Sequence, residues 1–156
     1  MLPSTEPLLL AIFLALLAYA VRSDWKYRRV PNQLTMLLAT SALTALIFDV
    51  QPFSVGWQDG LVAFFAGLSA MLMIYRMGFM GAADVKFAAA LGLWIGLLPL
   101  LWMWIGASLM AAFHALALLA WRRHMRLPRT RKREIPYVAH MAVATMGWIL
   151  WQHHIF

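Results

Sequence analysis

Two aspartates are the residues whose type and position could do chemistry in this chain. Asp24 and Asp84 each stand where an uncharged, apolar stretch meets a basic segment, and 60 residues separate them. If helix packing brings the two carboxyl groups together, they cannot both ionise at low cost, so one keeps its proton to a higher pH. Such a pair can act as base and acid on water and an amide bond, which predicts the chemistry of an aspartic protease.

Each aspartate also has a simpler interpretation as a counter-charge. The basic neighbours of Asp24 are Arg22, Lys26 and Arg28, and Asp84 lies two residues before Lys86.

Composition excludes several other chemistries. The chain has no cysteine, so it contains no disulfide, no thiolate-bound zinc, no iron–sulfur cluster and no cysteine nucleophile.

The elements that would position these acids are membrane-spanning helices. Of the 156 residues, 63% are hydrophobic and 12% are charged, whereas a soluble domain has about 45–50% apolar and about 25% charged residues. A soluble monomer is therefore excluded. The uncharged stretches are 7–21, 30–48, 60–75, 87–121 and 135–152. Four of them have the length of a single span, since a spanning helix needs about 20 residues and flanking side chains can extend a shorter one.

The remaining stretch, residues 87–121, is too long for one span. Its 35 residues would form a helix of about 50 Å, against a hydrocarbon core of about 30 Å. We predict a break within Gly96–Pro99, because proline lacks a backbone donor and disfavours helix at the residue before it. The sequence thus predicts an all-α, polytopic membrane protein with six transmembrane helices, and residues 1–156 are expected to form one integral membrane domain.

The distribution of basic residues supports six spans. With six spans, the segments 22–29, 76–86 and 122–134 share one side of the membrane and contain all 13 Lys and Arg residues. Short basic loops stay in the cytoplasm, so both termini are predicted to be non-cytoplasmic and both aspartates to lie at the cytoplasmic boundary. We expect the basic loop 122–133 to contact anionic lipid, and no nucleic-acid partner is predicted.

Short motifs surround the two aspartates. Asp24 opens a D-x-K-x-x-x-V-P-N run, in which Pro31 suits the first turn of a helix and Asn32 can bind nearby backbone groups. Asp84 belongs to a G-x-A-D-x-K run that begins at Gly81, where a glycine permits close backbone approach. A capped helix start explains the second run without catalysis.

The two runs, with Ile135-Pro136-Tyr137 after the last basic loop, resemble the signatures of the type IV prepilin peptidases, membrane aspartic proteases of the GxGD class. The resemblance implies that Asp24 and Asp84 are the catalytic pair. It implies supporting roles for Gly81, Ala83, Lys86, Pro31 and Asn32. It also implies a bacterial inner-membrane endopeptidase that removes the leader of type IV prepilin-like or pseudopilin precursors at the cytoplasmic interface.

The sequence departs from that family in two ways. Ala83 occupies the third position of the GxGD element, which adds a methyl group where the backbone is expected to pass close to its neighbours. The cysteine-containing cytoplasmic segment of the larger members is absent, so the chain resembles the small, peptidase-only form of tight-adherence or Flp pilus systems. We therefore predict no methyltransferase activity, no metal and no cofactor.

Lys86 has two interpretations. It is either a cation that acts on the Asp84 carboxylate or a basic residue that only sets the orientation of the chain in the membrane.

Other unusual residues in the spans have structural interpretations. His114 and His140 are expected to form interhelical hydrogen bonds, because neither has the spacing of a zinc site. Gly92 and Gly96 predict a close helix contact. The methionines at 71, 73, 77 and 80 are expected to pack in the core or against lipid.

Two alternatives remain open from the sequence. In the first, the chain is a proteolytically inactive membrane subunit of a pilus or secretion assembly, and its aspartates only balance basic residues. In the second, it is a small transporter, although no acidic residue is predicted at the middle of the membrane, where such relays usually sit.

Overall fold

The computed structural model describes residues 5–126 and 135–155. Within these ranges the chain forms six α-helices and no strand, which confirms the all-α prediction. The helices are α1 (Thr5–Tyr27), α2 (Asn32–Ile47), α3 (Trp57–Arg76), α4 (Ala82–Ile95), α5 (Leu97–Met125) and α6 (Tyr137–Ile155).

Several helices carry the apolar surface of a membrane protein. In the described part of the chain, three are long and apolar enough to cross a bilayer, namely Glu6–Tyr27, Trp57–Arg76 and Leu97–Met125. The apolar helix α2 is shorter, with 16 residues. Large apolar side chains such as Phe65 and Phe113 are exposed on the outer surface of the bundle, which fits contact with lipid chains. The chain is a multi-pass membrane protein.

Helix α4 lies at the centre of the bundle. It has 14 residues, about 21 Å of helix, and packs against α2, α3, α5 and α6. Every residue from Phe87 to Ile95 is buried. A helix that is apolar on all sides is stable when other helices surround it, so the uniform hydrophobicity of this segment explains its place. The first turn of α4, which carries Asp84, is thereby held at a fixed point of the bundle.

Small residues let α3 and α4 approach closely. A Cβ atom added at Gly92 would lie 2.7 Å from the carbonyl carbon of Ala63, closer than the α3 backbone allows. The predicted close contact is therefore confirmed at Gly92. The second glycine of the pair, Gly96, also approaches α3, because a Cβ there would collide with the Asp59 carboxylate, and it forms the joint between α4 and α5 as well.

That joint is the break predicted in the long apolar stretch. Gly96 has a φ of 76°, a backbone conformation that residues with a Cβ rarely adopt. The Asp59 carboxylate packs against Gly96 and accepts a hydrogen bond from the Leu97 N–H at 3.2 Å. Pro99 does not make the break. It lies in the first turn of α5, where its missing N–H costs no helical hydrogen bond.

Aromatic and polar contacts join α1, α2 and α4 away from the aspartates. Phe13 stacks on Trp94 with ring centroids 4.5 Å apart. The Trp94 indole N–H donates to the Leu38 carbonyl at 2.8 Å. Gln51, in the segment between α2 and α3, donates to the carbonyl oxygens of Ala42 and Leu93. These bonds satisfy polar groups that lipid could not, and they fix the three helices against one another.

Candidate active site

Asp24 lies in the last turn of α1 and points at the start of α6. Its side chain is only 7% exposed. Its Oδ2 atom accepts a hydrogen bond from the Ala139 N–H at 2.9 Å, and the Val138 N–H also contributes. Ala139 is the third residue of α6, so the Asp24 carboxylate caps that helix from another segment of the chain. The positive end of the helix offsets part of the cost of burying a carboxylate.

The turn that follows Asp24 is closed by local hydrogen bonds. The Ser23 hydroxyl donates to the Arg29 carbonyl at 2.7 Å, and the Arg28 N–H donates to the Asp24 carbonyl at 2.9 Å. The charge of Arg28 acts on the Asp24 carboxylate, as the counter-charge interpretation expected. The bond to α6 is the feature that this interpretation did not foresee.

Asp84 is the third residue of α4, as the first-turn prediction required. Its Oδ2 atom accepts a hydrogen bond from the Gly81 N–H at 2.7 Å, which caps the helix. The backbone of Gly81 is extended, with φ −92° and ψ 155°, so its conformation does not itself demand glycine. Ala83 is half-buried in the same turn. The Asp84 side chain is also half-buried, unlike that of Asp24.

A cavity of about 520 Å³ opens beside Asp84. Its walls combine an apolar majority with the hydroxyl groups of Ser108 and Tyr137. The other lining residues are Ile74, Phe79, Met80, Trp104, Ala111, Ala112, Ala115 and Ile135. The cavity therefore touches α3, α4, α5 and the start of α6, and Asp84 is its acidic lining residue among those described.

The first turn of α6 borders both the Asp24 carboxylate and the cavity beside Asp84. Its backbone binds Asp24 at Ala139, and its first residue, Tyr137, lines the same cavity as Asp84. The sequence separates these acids by 60 residues. The meeting of the Asp24 and Asp84 side chains stays a prediction, and the segment that begins Ile135-Pro136-Tyr137 is the one that borders both.

A hydrogen bond also links the two motifs directly. The Lys86 ammonium donates to the Asn32 Oδ1 at 3.1 Å, which joins the first turns of α4 and α2. Pro31 precedes α2 as its N-cap residue, one position earlier than expected. The Lys86 side chain therefore has a partner in the first motif, which neither interpretation of this residue anticipated.

His114 and His140 form the interhelical contact expected of them. The His114 Nδ1 and His140 Nε2 atoms lie 3.3 Å apart, and the His140 Nδ1 bonds to the Pro136 carbonyl. Trp25 packs beside His114, with ring centroids 5.6 Å apart. In the described ranges, no group of three or more His, Asp or Glu side chains is placed to hold a metal ion.

Sequence reasoning missed two polar groups that the structure places in defined roles. Ser108 lines the Asp84 cavity and bonds to Tyr137, and Asp59 caps α5. Ser108 is a hydroxyl residue inside an apolar span, which is the signal that could have singled it out.

The methionines behave as expected of packing residues, since Met71 is buried and Met73 and Met77 are exposed.

The basic segment after α5 is described in part. Arg122 and Arg123 lie in the last turn of α5, and Arg126 follows it, whereas residues 127–134 lie outside the described residues. Because the Asp84 cavity touches α5 no further along than Ala115, the helix continues about 15 Å beyond it to Met125. The expected contact of this segment with anionic lipid stays a prediction.

Comparison with known proteins agrees with the motifs. Residues 11–116 match the model of the type IV leader peptidase family. A prepilin leader peptidase/N-methyltransferase from Aeromonas hydrophila is 30% identical over 132 residues, which cover 78% of this chain and 42% of that protein. The chain thus spans less than half the length of this curated relative. No solved structure matches it. The matched residues include both aspartates, all of α2, α3 and α4 and most of α1 and α5, and the chain belongs to the type IV leader peptidase family.

Proposed function

We propose that this protein is an aspartic-type endopeptidase that removes the leader peptide of type IV prepilin-like or pseudopilin precursors, with Asp24 and Asp84 as its catalytic pair. The observation that supports the proposal is that the first turn of α6 binds Asp24 through the Ala139 N–H and, through Tyr137, lines the cavity that Asp84 also lines. Family membership supplies the class of reaction and the class of substrate.

The pair would work by sharing one proton. The ionised carboxylate takes a proton from water while the water oxygen attacks the carbonyl carbon of the scissile bond, and the protonated partner donates to the carbonyl oxygen. The tetrahedral intermediate then collapses, the C–N bond breaks, and the leaving amine takes up a proton from the carboxyl pair. Because the two groups titrate together, the roles belong to the pair and not to one residue.

The substrate would reach this site from the bilayer. Leader peptides of this class precede an apolar helix, and the wall of the Asp84 cavity is largely apolar. An apolar helix that enters between the spans would leave its N-terminal peptide bond near Asp84. The positive-inside rule supports an orientation in the inner membrane with the basic segments at its cytoplasmic face and both termini on the other side.

Methyltransferase activity is not part of the proposal. The Aeromonas hydrophila relative carries that activity in its name, but the chain covers 42% of that protein. The chain has no cysteine, and we propose a peptidase-only enzyme without metal or cofactor in a single domain.

Co-expression with a pilin-like precursor tests the proposal. The wild type should shorten the precursor, whereas Asp24→Asn and Asp84→Asn should each leave it at full length while the variant still accumulates in the membrane. Asp49→Asn is the matched control, because Asp49 is exposed in the segment after α2, and it should cleave normally.

Two outcomes would contradict the proposal. Cleavage that survives Asp24→Asn or Asp84→Asn would exclude the carboxyl pair. Failure of the wild type to cleave any pilin-like precursor would favour the inactive subunit, in which the acids only balance charge.

A further inference from the structure

The Tyr137 side chain is the polar group of the Asp84 cavity that the proposed mechanism does not use. Tyr137 is the first residue of α6 and is half-buried. Its hydroxyl oxygen lies 2.9 Å from the Ser108 hydroxyl oxygen, and either atom could be the donor. Both residues line the cavity that Asp84 enters, so the phenol is available at the place where a peptide carbonyl would lie.

One of the two directions of the Ser108–Tyr137 hydrogen bond leaves the phenol proton available to a ligand. The Trp104 side chain also interacts with Tyr137, and an indole N–H can only donate. The phenol oxygen is the atom of the Tyr137 side chain to which such an N–H could donate. The Ser108 hydroxyl can donate to the same oxygen, because a phenol oxygen accepts while its own hydrogen points elsewhere. In that arrangement the Ser108 bond orients the phenol, and its O–H has no acceptor among the described residues.

The position of Tyr137 relative to both acids indicates what the phenol proton could bind. Tyr137 and Asp84 line one cavity, and two residues further along the same turn the Ala139 N–H binds Asp24. A peptide bond held between the carboxyl groups would therefore meet the phenol as a third group. The negative charge that develops on the carbonyl oxygen during water attack needs a donor that is already oriented, and such donors act strongly in a site shielded from water.

Resting on the proposed peptidase function, we infer that the Tyr137 hydroxyl donates a hydrogen bond to the carbonyl oxygen of the scissile peptide bond, with Ser108 and Trp104 as its positioning residues. The phenol keeps its proton throughout, so the carboxyl pair carries all of the proton transfer. Tyr137 thus stabilises the negative charge that develops on the carbonyl oxygen during water attack, before the carboxyl pair delivers its proton, and it is a catalytic residue in addition to Asp24 and Asp84.

The test is the steady-state kinetics of Tyr137→Phe in the full chain, reconstituted in lipid with a purified pilin-like precursor. The variant keeps the ring and removes only the hydroxyl. We expect kcat to fall about 100-fold with KM within about twofold of wild type, as for loss of one oxyanion donor. Ser108→Ala is the matched control, since it keeps the phenol and removes one positioning contact. It should lower kcat by less than about tenfold.

Two results would overturn the inference. An unchanged kcat in Tyr137→Phe would show that the hydroxyl has no part in the reaction. A raised KM at constant kcat would show that it only binds the ground state. The thermal unfolding midpoint of each variant separates these results from misfolding, and Tyr137→Trp, which restores a donor, should regain part of kcat if Tyr137→Phe is poorly folded. If the wild type itself cleaves nothing, the proposed function fails and this inference fails with it. If the wild type cleaves and Tyr137→Phe is fully active, only this inference fails.

Discussion

An aspartate carboxylate caps the start of a helix at each end of α4, but the two carboxylates have different surroundings. At one end, Asp84 accepts a bond from the Gly81 N–H at 2.7 Å, and at the other, Asp59 accepts one from the Leu97 N–H at 3.2 Å. Both carboxylates therefore cap the start of a helix, α4 in the first case and α5 in the second. Helix capping alone does not distinguish a catalytic acid from a structural one.

The surroundings of the two carboxylates differ. Asp84 lines a cavity that holds the Tyr137 and Ser108 hydroxyl groups, and a second acid, Asp24, binds the same turn of α6 that carries Tyr137. Asp59 packs against Gly96 at a joint between two helices. A second carboxylate and a space for substrate are therefore what convert a capping aspartate into a candidate catalytic group.

The largest expected difference between the two ends is in activity. Asp84→Asn should lower the rate of precursor cleavage by about 1,000-fold or more, because the amide can neither accept nor deliver the proton. Asp59→Asn should keep the rate within about twofold, since its amide oxygen can still accept the Leu97 N–H bond. Initial cleavage rates in membranes that contain equal amounts of each variant measure both. Equal losses in the two variants would mean that Asp84 acts through helix stability.

The next prediction concerns the free energy of unfolding, which should depend on Gly96 at the joint between α4 and α5. Gly96→Ala should lower the free energy of unfolding by about 2 kcal/mol or more, because alanine is strained at positive φ and its methyl group would collide with the Asp59 carboxylate. Gly147→Ala is the control, since an added Cβ there meets nothing within 4 Å. It should be neutral or slightly stabilising. Thermal unfolding in one detergent compares the two, and a Gly96→Ala protein as stable as the control would contradict the assigned joint.

The smallest effect concerns the link between the two motifs. Lys86→Ala and Asn32→Ala each remove the same exposed hydrogen bond of 3.1 Å. In a double-mutant cycle, the coupling energy should be about 0.5–1 kcal/mol in unfolding free energy. A coupling near zero would show that Lys86 acts as a topology charge, and a large effect on cleavage at unchanged stability would favour its action on Asp84.

Much of the fold follows from the sequence because charges are rare in it. The uncharged stretches predicted all six helices, and the 35-residue stretch required a break at the segment where Gly96 lies. The prediction misplaced the cause of that break at Pro99. The conformation of Gly96 depends on Asp59, which lies 37 residues earlier, and such a contact cannot be read from local propensity.

The candidate site was predicted in its acids and incompletely in its surroundings. Asp24 and Asp84 stand out because each is an acid at the edge of an apolar stretch and lies in a motif. The roles of Tyr137 and Ser108 could not be predicted, because they depend on the angle at which α6 meets α5. The capping of α6 by Asp24 depends likewise on how α1 packs against α6.

Cross-linking of the two acid positions tests the central claim most directly. The chain has no cysteine, so Asp24→Cys with Asp84→Cys places a single pair of thiols in the protein without background. A flexible bifunctional thiol reagent should link this pair within the monomer in native membranes. It should fail to link Asp24→Cys with Asp59→Cys, because Asp59 lies at the opposite end of α4. Efficient linkage of the second pair, or none of the first, would contradict a site in which Asp24 and Asp84 act on one peptide bond.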